Sequence, residues 1–266
     1  METENVNKTK GKKTGLIVLG IFVFAFLVYY SVMIMLSPLK KFEDLREQFS
    51  YKQDEKNKID ERIFSDSSYL KLYREKAWLQ SKIAMAETDS IYLTVNLPDS
   101  TVNLEISGVV VHSTIIKRQK TSKILKNGDD YIITSLLTRP FTISNNYSSI
   151  PKMPLMIKMA PKDTSEFKPD IIPDTADYEP VNYVMEMENG LVIIVYQEEK
   201  QNPGDRFHLF GFDLKYRLKC ALTDIKSILT CKVPDYHPYI KLRLPRTDAK
   251  IIYRALPEHG QIAVYR

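Results

Sequence analysis

The chain is 266 residues long, with 38 Lys and Arg set against 33 Asp and Glu for a net charge of +5. That modest charge is mixed in sign along the sequence, and no concentrated basic stripe with interleaved aromatics occurs, which excludes a nucleic-acid partner. Nine scattered glycines leave no phosphate-cradling loop, so nucleotide-driven chemistry is excluded as well.

Residues 1–14 form a tail carrying Lys8, Lys10, Lys12 and Lys13. Residues 15–36 contain no charged side chain and are mostly Leu, Ile, Val, Phe, Met and Ala. At ~1.5 Å rise per residue, such a helix crosses the ~30 Å hydrocarbon core of a bilayer. Tyr29 and Tyr30 lie in its distal half, where amphipathic rings suit the approach to headgroups. A cleaved signal peptide would show an apolar core of ~7–15 residues and a small-x-small cleavage site, and neither is present. No Cys near the end of the run supports a lipid anchor. The sequence therefore predicts an uncleaved single span. Lys40, Lys41 and Arg46 follow it, but the short tail is slightly richer in positive charge, so the tail is expected in the cytoplasm and Ser37 to Arg266 on the far side.

Residues 37–88 read as a helical stalk. Phe42, Leu45, Phe49, Ile59 and Ile63 fall on a heptad-like stripe interrupted by Lys52 and Lys56. Ser65-Asp66-Ser67-Ser68 supplies N-cap chemistry for a second helix to about Ala86, with apolar positions at Tyr69, Leu72, Leu79, Ile83 and Ala86. Clean heptads are too few for a confident coiled coil, so two amphipathic helices, one packed on the following domain, are favoured. The stalk still leaves room for self-association.

From Ile91 the period changes to two. Ile91, Leu93, Val95 and Leu97 alternate with polar positions, Pro98-Asp99-Ser100 turns the chain, and Val102, Leu104 and Ile106 alternate again before Gly108-Val109-Val110-Val111. Further strands are predicted at Tyr131–Leu137, Pro154–Met159, Tyr183–Met187 and Leu191–Tyr196. The last two flank Glu188-Asn189-Gly190, a hairpin signal. Residues 144–180, rich in Ser, Pro, Asp and Lys, read as long surface loops. The fold class is α+β: a transmembrane helix, a helical stalk, then a mostly β domain over residues 89–266.

The most informative stretch runs from Lys241 to Val264: a short strand, a helix started by Thr247 or Asp248, a turn at Gly260 and a last strand. Ala249, Ile252, Tyr253 and Leu256 give that helix one apolar face. This arrangement resembles the end of the L,D-transpeptidase catalytic domain, the family that cross-links bacterial peptidoglycan. In that family a motif His-Gly-Cys-hydrophobic-Arg-hydrophobic leads into a helix beginning near an Asp-Ala pair. The strands from Ile91 to Val111 look like the family's opening hairpin. The resemblance covers about residues 89–266, best at its two ends.

Its departures decide the chemistry that the resemblance implies. Aligned on Leu242-Arg243-Leu244, Lys241 occupies the place of the catalytic Cys, while Tyr239 and Ile240 occupy those of His and Gly. An amine cannot replace the thiolate as acyl carrier. An upstream His could come from His208, without the companion Gly. Neither Cys220 nor Cys231 precedes a hydrophobic-Arg pair. In an oxidising compartment the two cysteines either close a short loop or stay as two thiols. His112, His208, His237 and His259 show no metal-ligand spacing, and no metal or cofactor is predicted.

The expected function is that of a non-catalytic periplasmic binding or structural protein, single-pass in the bacterial inner membrane. It would be a subunit of a trans-envelope complex such as a secretion system, or a peptidoglycan-binding module. The candidate cleft is His208, Tyr236, Tyr239, Lys241 and Arg243, with Phe207, Phe210 and Phe212 nearby. An active cell-wall enzyme using a different Cys is the alternative.

Overall fold

The computed structural model describes residues 3–49, 66–152, 179–199, 202 and 204–266, with side chains from Ile17 onward. It divides into two compact units, residues 1–48 with 217–236, and residues 49–216 with 237–266.

In the first unit, helix α1 (Thr3–Phe49) runs without a break through Pro38. From Ile17 it is long and apolar enough to cross a membrane, with a mean hydropathy of 2.6 over its most apolar window and none of that window buried. One face is more sheltered than the rest: Phe26, Tyr30, Met33, Ser37, Lys41 and Leu45 recur every three or four residues, and Ser37 and Leu45 are buried. The salt bridge from Lys40 to Asp235, 3.9 Å, belongs to this unit.

The second unit begins with α2 (Ser67–Ala86), whose cap Asp66 accepts a hydrogen bond from the Ser68 amide at 2.8 Å. The capping chemistry read from the sequence starts it, but a different stripe packs. Leu70, Ala77, Ser81 and Met85 are buried, whereas Leu72, Leu79 and Ile83 face outward. Then come β1 (Tyr92–Asn96), β2 (Thr101–Ile106), β3 (Val109–Ile115) and β4 (Arg118–Thr121). Ser107 and Gly108 both take positive φ, 47° and 83°, the tight two-residue hairpin that fits strand twist.

Short α3 (Lys123–Asn127) precedes α4 (Asp130–Leu137), where a strand was expected. The Asp129 carboxylate accepts from the Tyr131 and Ile132 amides at 2.9 and 3.2 Å, and that cap starts a helix whose Ile132, Ile133, Leu136 and Leu137 are buried. β5 (Phe141–Ser148) extends into the region expected to be loop, because Asn145 to Ser148 pair with Glu186 to Tyr183. β6 (Asn182–Met187) and β7 (Val192–Gln197) form the expected hairpin, with Gly190 at φ 83° and its amide bonded to the Met187 carbonyl. The expected strand at 154–159 and the stripe positions Ile59 and Ile63 lie outside the described residues. Helix α5 (Asp205–Leu229), β8 (Tyr239–Leu244), α6 (Arg246–Ala255) and β9 (Gln261–Tyr265) complete the chain. The last three reproduce the predicted strand-helix-strand, with Ala249, Ile252, Tyr253 and Leu256 all buried.

Among the described residues the strands form one nine-stranded sheet in the order β3-β2-β1-β9-β5-β6-β7-β8-β4. It is mixed: β1 with β9 and β7 with β8 are parallel pairs. β3 and β4 stand at opposite ends of that order, yet only Ile116 and Lys117 separate them. The Ile116 amide bonds to Ser100 beside β2, and the next amide, Lys117, to Arg243 on β8, at 2.7 and 2.9 Å. The sheet must therefore curl until its two ends meet.

The central β6 and β7 are buried on both faces, as continuous apolar runs require. Val184, Val192, Ile194 and Tyr196 pack with Phe212 of α5 on one face. On the other, Tyr183 meets Tyr253 of α6 at 4.9 Å. Near α2, the fully buried carboxylate of Glu105 is held by the Thr94 hydroxyl at 2.7 Å, the Tyr92 hydroxyl at 3.3 Å and the Lys82 ammonium at 3.3 Å. A buried charge needs such partners, and this one ties α2 to the sheet.

Candidate functional site

β8 alternates strictly. Ile240, Leu242 and Leu244 are buried, while Tyr239, Lys241 and Arg243 share the opposite, half-exposed face. Three of the predicted site residues therefore line up along one strand. β4 lies antiparallel beside it in a register that sets Arg118 opposite Arg243 and Lys120 opposite Lys241. Like charges directly opposed across strands are destabilising. The described partner for the first pair is Glu198 at the end of β7, 3.6 Å from both Arg118 and Arg243. The Lys241 ammonium lies over the rings of Tyr239 and Tyr196, at 5.3 and 5.8 Å. Ring faces attract a cation at such distances. The Tyr196 hydroxyl in turn donates to Asp213 at 2.6 Å.

The remaining predicted residues lie elsewhere. His208 is exposed on the first half of α5 and borders a groove of about 580 Å³ whose other walls include Tyr147, Phe207, Phe212 and Lys215. Tyr239, Lys241 and Arg243 do not line it. Tyr239 instead packs against the apolar cluster of Val184, Val192, Ile194, Tyr196 and Phe212. Tyr236 belongs to the unit of residues 217–236 and α1. So do both cysteines, Cys220 on α5 and Cys231 just past its end, and no disulfide joins them.

Sequence reading missed Arg118, Lys120 and Glu198. They are far from their partners in the chain and become adjacent only through the β4–β8 register and the end of β7. No spacing rule reveals such a cluster.

The other polar groups are structural in their contacts. His112 Nε2 is 3.2 Å from Asp248, which also accepts from the Thr114 hydroxyl at 2.6 Å, fastening the start of α6 to β3. Nδ1 of His237 and Nδ1 of His259 sit against the carbonyls of Gly190 and Ile143, at 3.2 and 3.1 Å. Lys152 lies over the Tyr253 ring, and burial lowers its pKa below the ordinary lysine value against the opposing pull of Glu258. Among the described residues no group of His, Cys, Asp and Glu is placed to hold a metal.

Comparison with known proteins finds no match among family models, curated proteins or solved structures. What stands is an α+β chain with a long apolar N-terminal helix and a largely mixed-sheet remainder that carries a cationic strand pair.

Proposed function

We propose that this chain is a membrane-anchored, non-catalytic binding protein of the bacterial cell envelope, held in the inner membrane by α1 with its sheet-bearing unit in the periplasm. The observation that carries the reading is the cationic ladder of β4 and β8. Four cations set in two like-charged cross-strand pairs favour an anionic ligand, which would add to the neutralisation that Glu198 gives the arginine pair. The ligand class is anionic: carboxylates presented along a strand-like partner would meet Arg118, Lys120, Lys241 and Arg243 in turn, the arginines as bidentate donors.

The resemblance to L,D-transpeptidases supplies the candidate. Peptidoglycan stem peptides, which that family cross-links, carry carboxylates. In this chain the position of the nucleophile is held by Lys241, whose ammonium lies over two tyrosine rings. Both thiols group with α1, which supports binding over turnover.

The test uses the full chain in detergent, co-sedimented with purified sacculi. Arg118→Ala with Lys120→Ala should weaken retention about tenfold, or ~1.4 kcal/mol, and the loss should mimic raised salt. Both side chains are exposed, so folding should be untouched. A carbapenem should leave Cys220 and Cys231 unmodified. Retention unaffected by the double variant would remove the ladder from the reading. A carbapenem adduct would restore the enzyme. Co-purification of an acidic membrane protein, lost in the same variant, would instead identify a trans-envelope complex.

A further inference from the structure

We infer that the C-terminal end of α5 and the turn after it, residues 228–235, form a second membrane contact that dips into the bilayer beside α1. The inference rests on the reading of α1 as an uncleaved span, because that span says where the membrane is.

Two contacts fix this segment along α1. The Tyr29 hydroxyl and the Cys231 thiol share a hydrogen bond. Further along, the Lys40 ammonium reaches Asp235 at 3.9 Å. Tyr29 lies seven residues inside the end of the apolar run at Leu36, which is about 10 Å along the helix axis. Whatever touches Tyr29 is thus below the headgroups. Lys40 stands outside the run, at the level where water begins. From Tyr29 to Lys40 is about 16 Å of helix. The four steps from Cys231 to Asp235 span at most ~14 Å when extended, and the two side chains make up the rest. The chain must come down as a helix, turn at the depth of Tyr29, and climb back almost straight.

The turn is built to do this. α5 stops at a left-handed Cys231, φ 55°, with the Lys232 amide bonded to the Ser227 carbonyl and the Cys231 amide to the Ile228 carbonyl. Those two bonds satisfy carbonyls that a frayed helix end would expose to hydrocarbon. Ile228 is buried, 1% exposed, while Leu218, Leu222 and Leu229 are 54, 68 and 68% exposed. They recur at helical spacing on one face that no described residue covers. Lys219, Lys226 and Lys232 are exposed around them. Apolar side chains ringed by lysines whose stems lie along the lipid and whose charges stay at the surface are the pattern of an interfacial helix. Continuity with the lipid-facing side of α1 makes the bilayer, rather than a second copy or another protein, the occupant of this face.

The test places one fluorophore on the full chain in liposomes of phosphatidylcholine and phosphatidylglycerol. The background is Cys220→Ser with Cys231→Ser, which keeps a hydroxyl beside Tyr29. Leu229→Cys is the test site, Val23→Cys reports the span, and Thr247→Cys reports water. The label at 229 should emit blue-shifted, be quenched by lipid carrying a nitroxide on its acyl chain, and be several-fold less accessible to iodide than the label at 247. If the label at 23 is quenched by that lipid and the label at 229 is open to iodide, the second contact is wrong and the anchor stands. A label at 229 shielded from both quenchers means that protein covers the face, which also overturns the inference. Failure of the label at 23 to be quenched sinks the anchor reading, and this one with it.

Discussion

Two buried tyrosines set the response of the sheet-bearing unit to alkali. Burial raises the pKa of Tyr183, with the neighbouring Tyr253 adding to it, and burial likewise raises Tyr92, with the Glu105 charge beside it. In the unfolded chain both hydroxyls ionise near the ordinary value of about 10. The folded protein holds its protons longer, so their contribution is complete below pH 10 and lost above it. The loss is about 1.4 kcal/mol per pH unit for each tyrosine. Tyr92 uses its hydroxyl, accepting from the Gly108 amide at 3.1 Å. That of Tyr183 is buried with no hydrogen-bond partner among the described residues. Tyr183→Phe should therefore stabilise the fold by about 1 kcal/mol at neutral pH. It should also make the decline above pH 10 shallower. Urea titrations at a series of pH values read both effects, and a loss of stability at neutral pH would show that the hydroxyl is satisfied.

At the scale of elements, the helix caps decide what the apolar pattern leaves open. The β-branched and apolar residues of Tyr131–Leu137, bounded by polar ones, predict a strand, and the structure makes a helix of them. Asp129 settles it by taking two amide protons. Asp129→Ala should cost about 1 kcal/mol and speed amide exchange in α4, while leaving exchange in the β6–β7 hairpin unchanged. Exchange that rises equally in both would mean the cap holds nothing local. The same contrast explains what was legible in the sequence. Asn189-Gly190 and the strand-helix-strand ending at Tyr265 carry their own turn and periodicity signals, and both form where read. α5 also carries a signal, since Phe207, Phe210, Leu214, Leu218, Leu222, Ile225 and Leu229 keep a helical period behind Asp205. The expectation placed on this stretch concerned only an upstream His at His208, and no helix was read from it. The cationic ladder had no local signal at all, because β4 and β8 meet only once the sheet has curled.

For the whole molecule, the proposed anchor carries a prediction of topology: the sheet-bearing unit faces the side of the membrane opposite the tail. Lys8, Lys10, Lys12 and Lys13 crowd the short tail, whereas Lys40, Lys41 and Arg46 follow the apolar run. Retention of positive charge on the cytoplasmic side favours the tail there, and a long folded region is translocated with little regard to its own charge. Thr247 is exposed at the start of α6 and offers a reporter away from the anchor. Thr247→Cys, in a chain with Cys220→Ser and Cys231→Ser, should react with a membrane-impermeant maleimide in intact spheroplasts as completely as after lysis. Reaction only after lysis would put the unit in the cytoplasm. The cationic ladder would then face nucleotides and acidic proteins rather than the cell wall, and the peptidoglycan reading would fall on topology before any binding was measured.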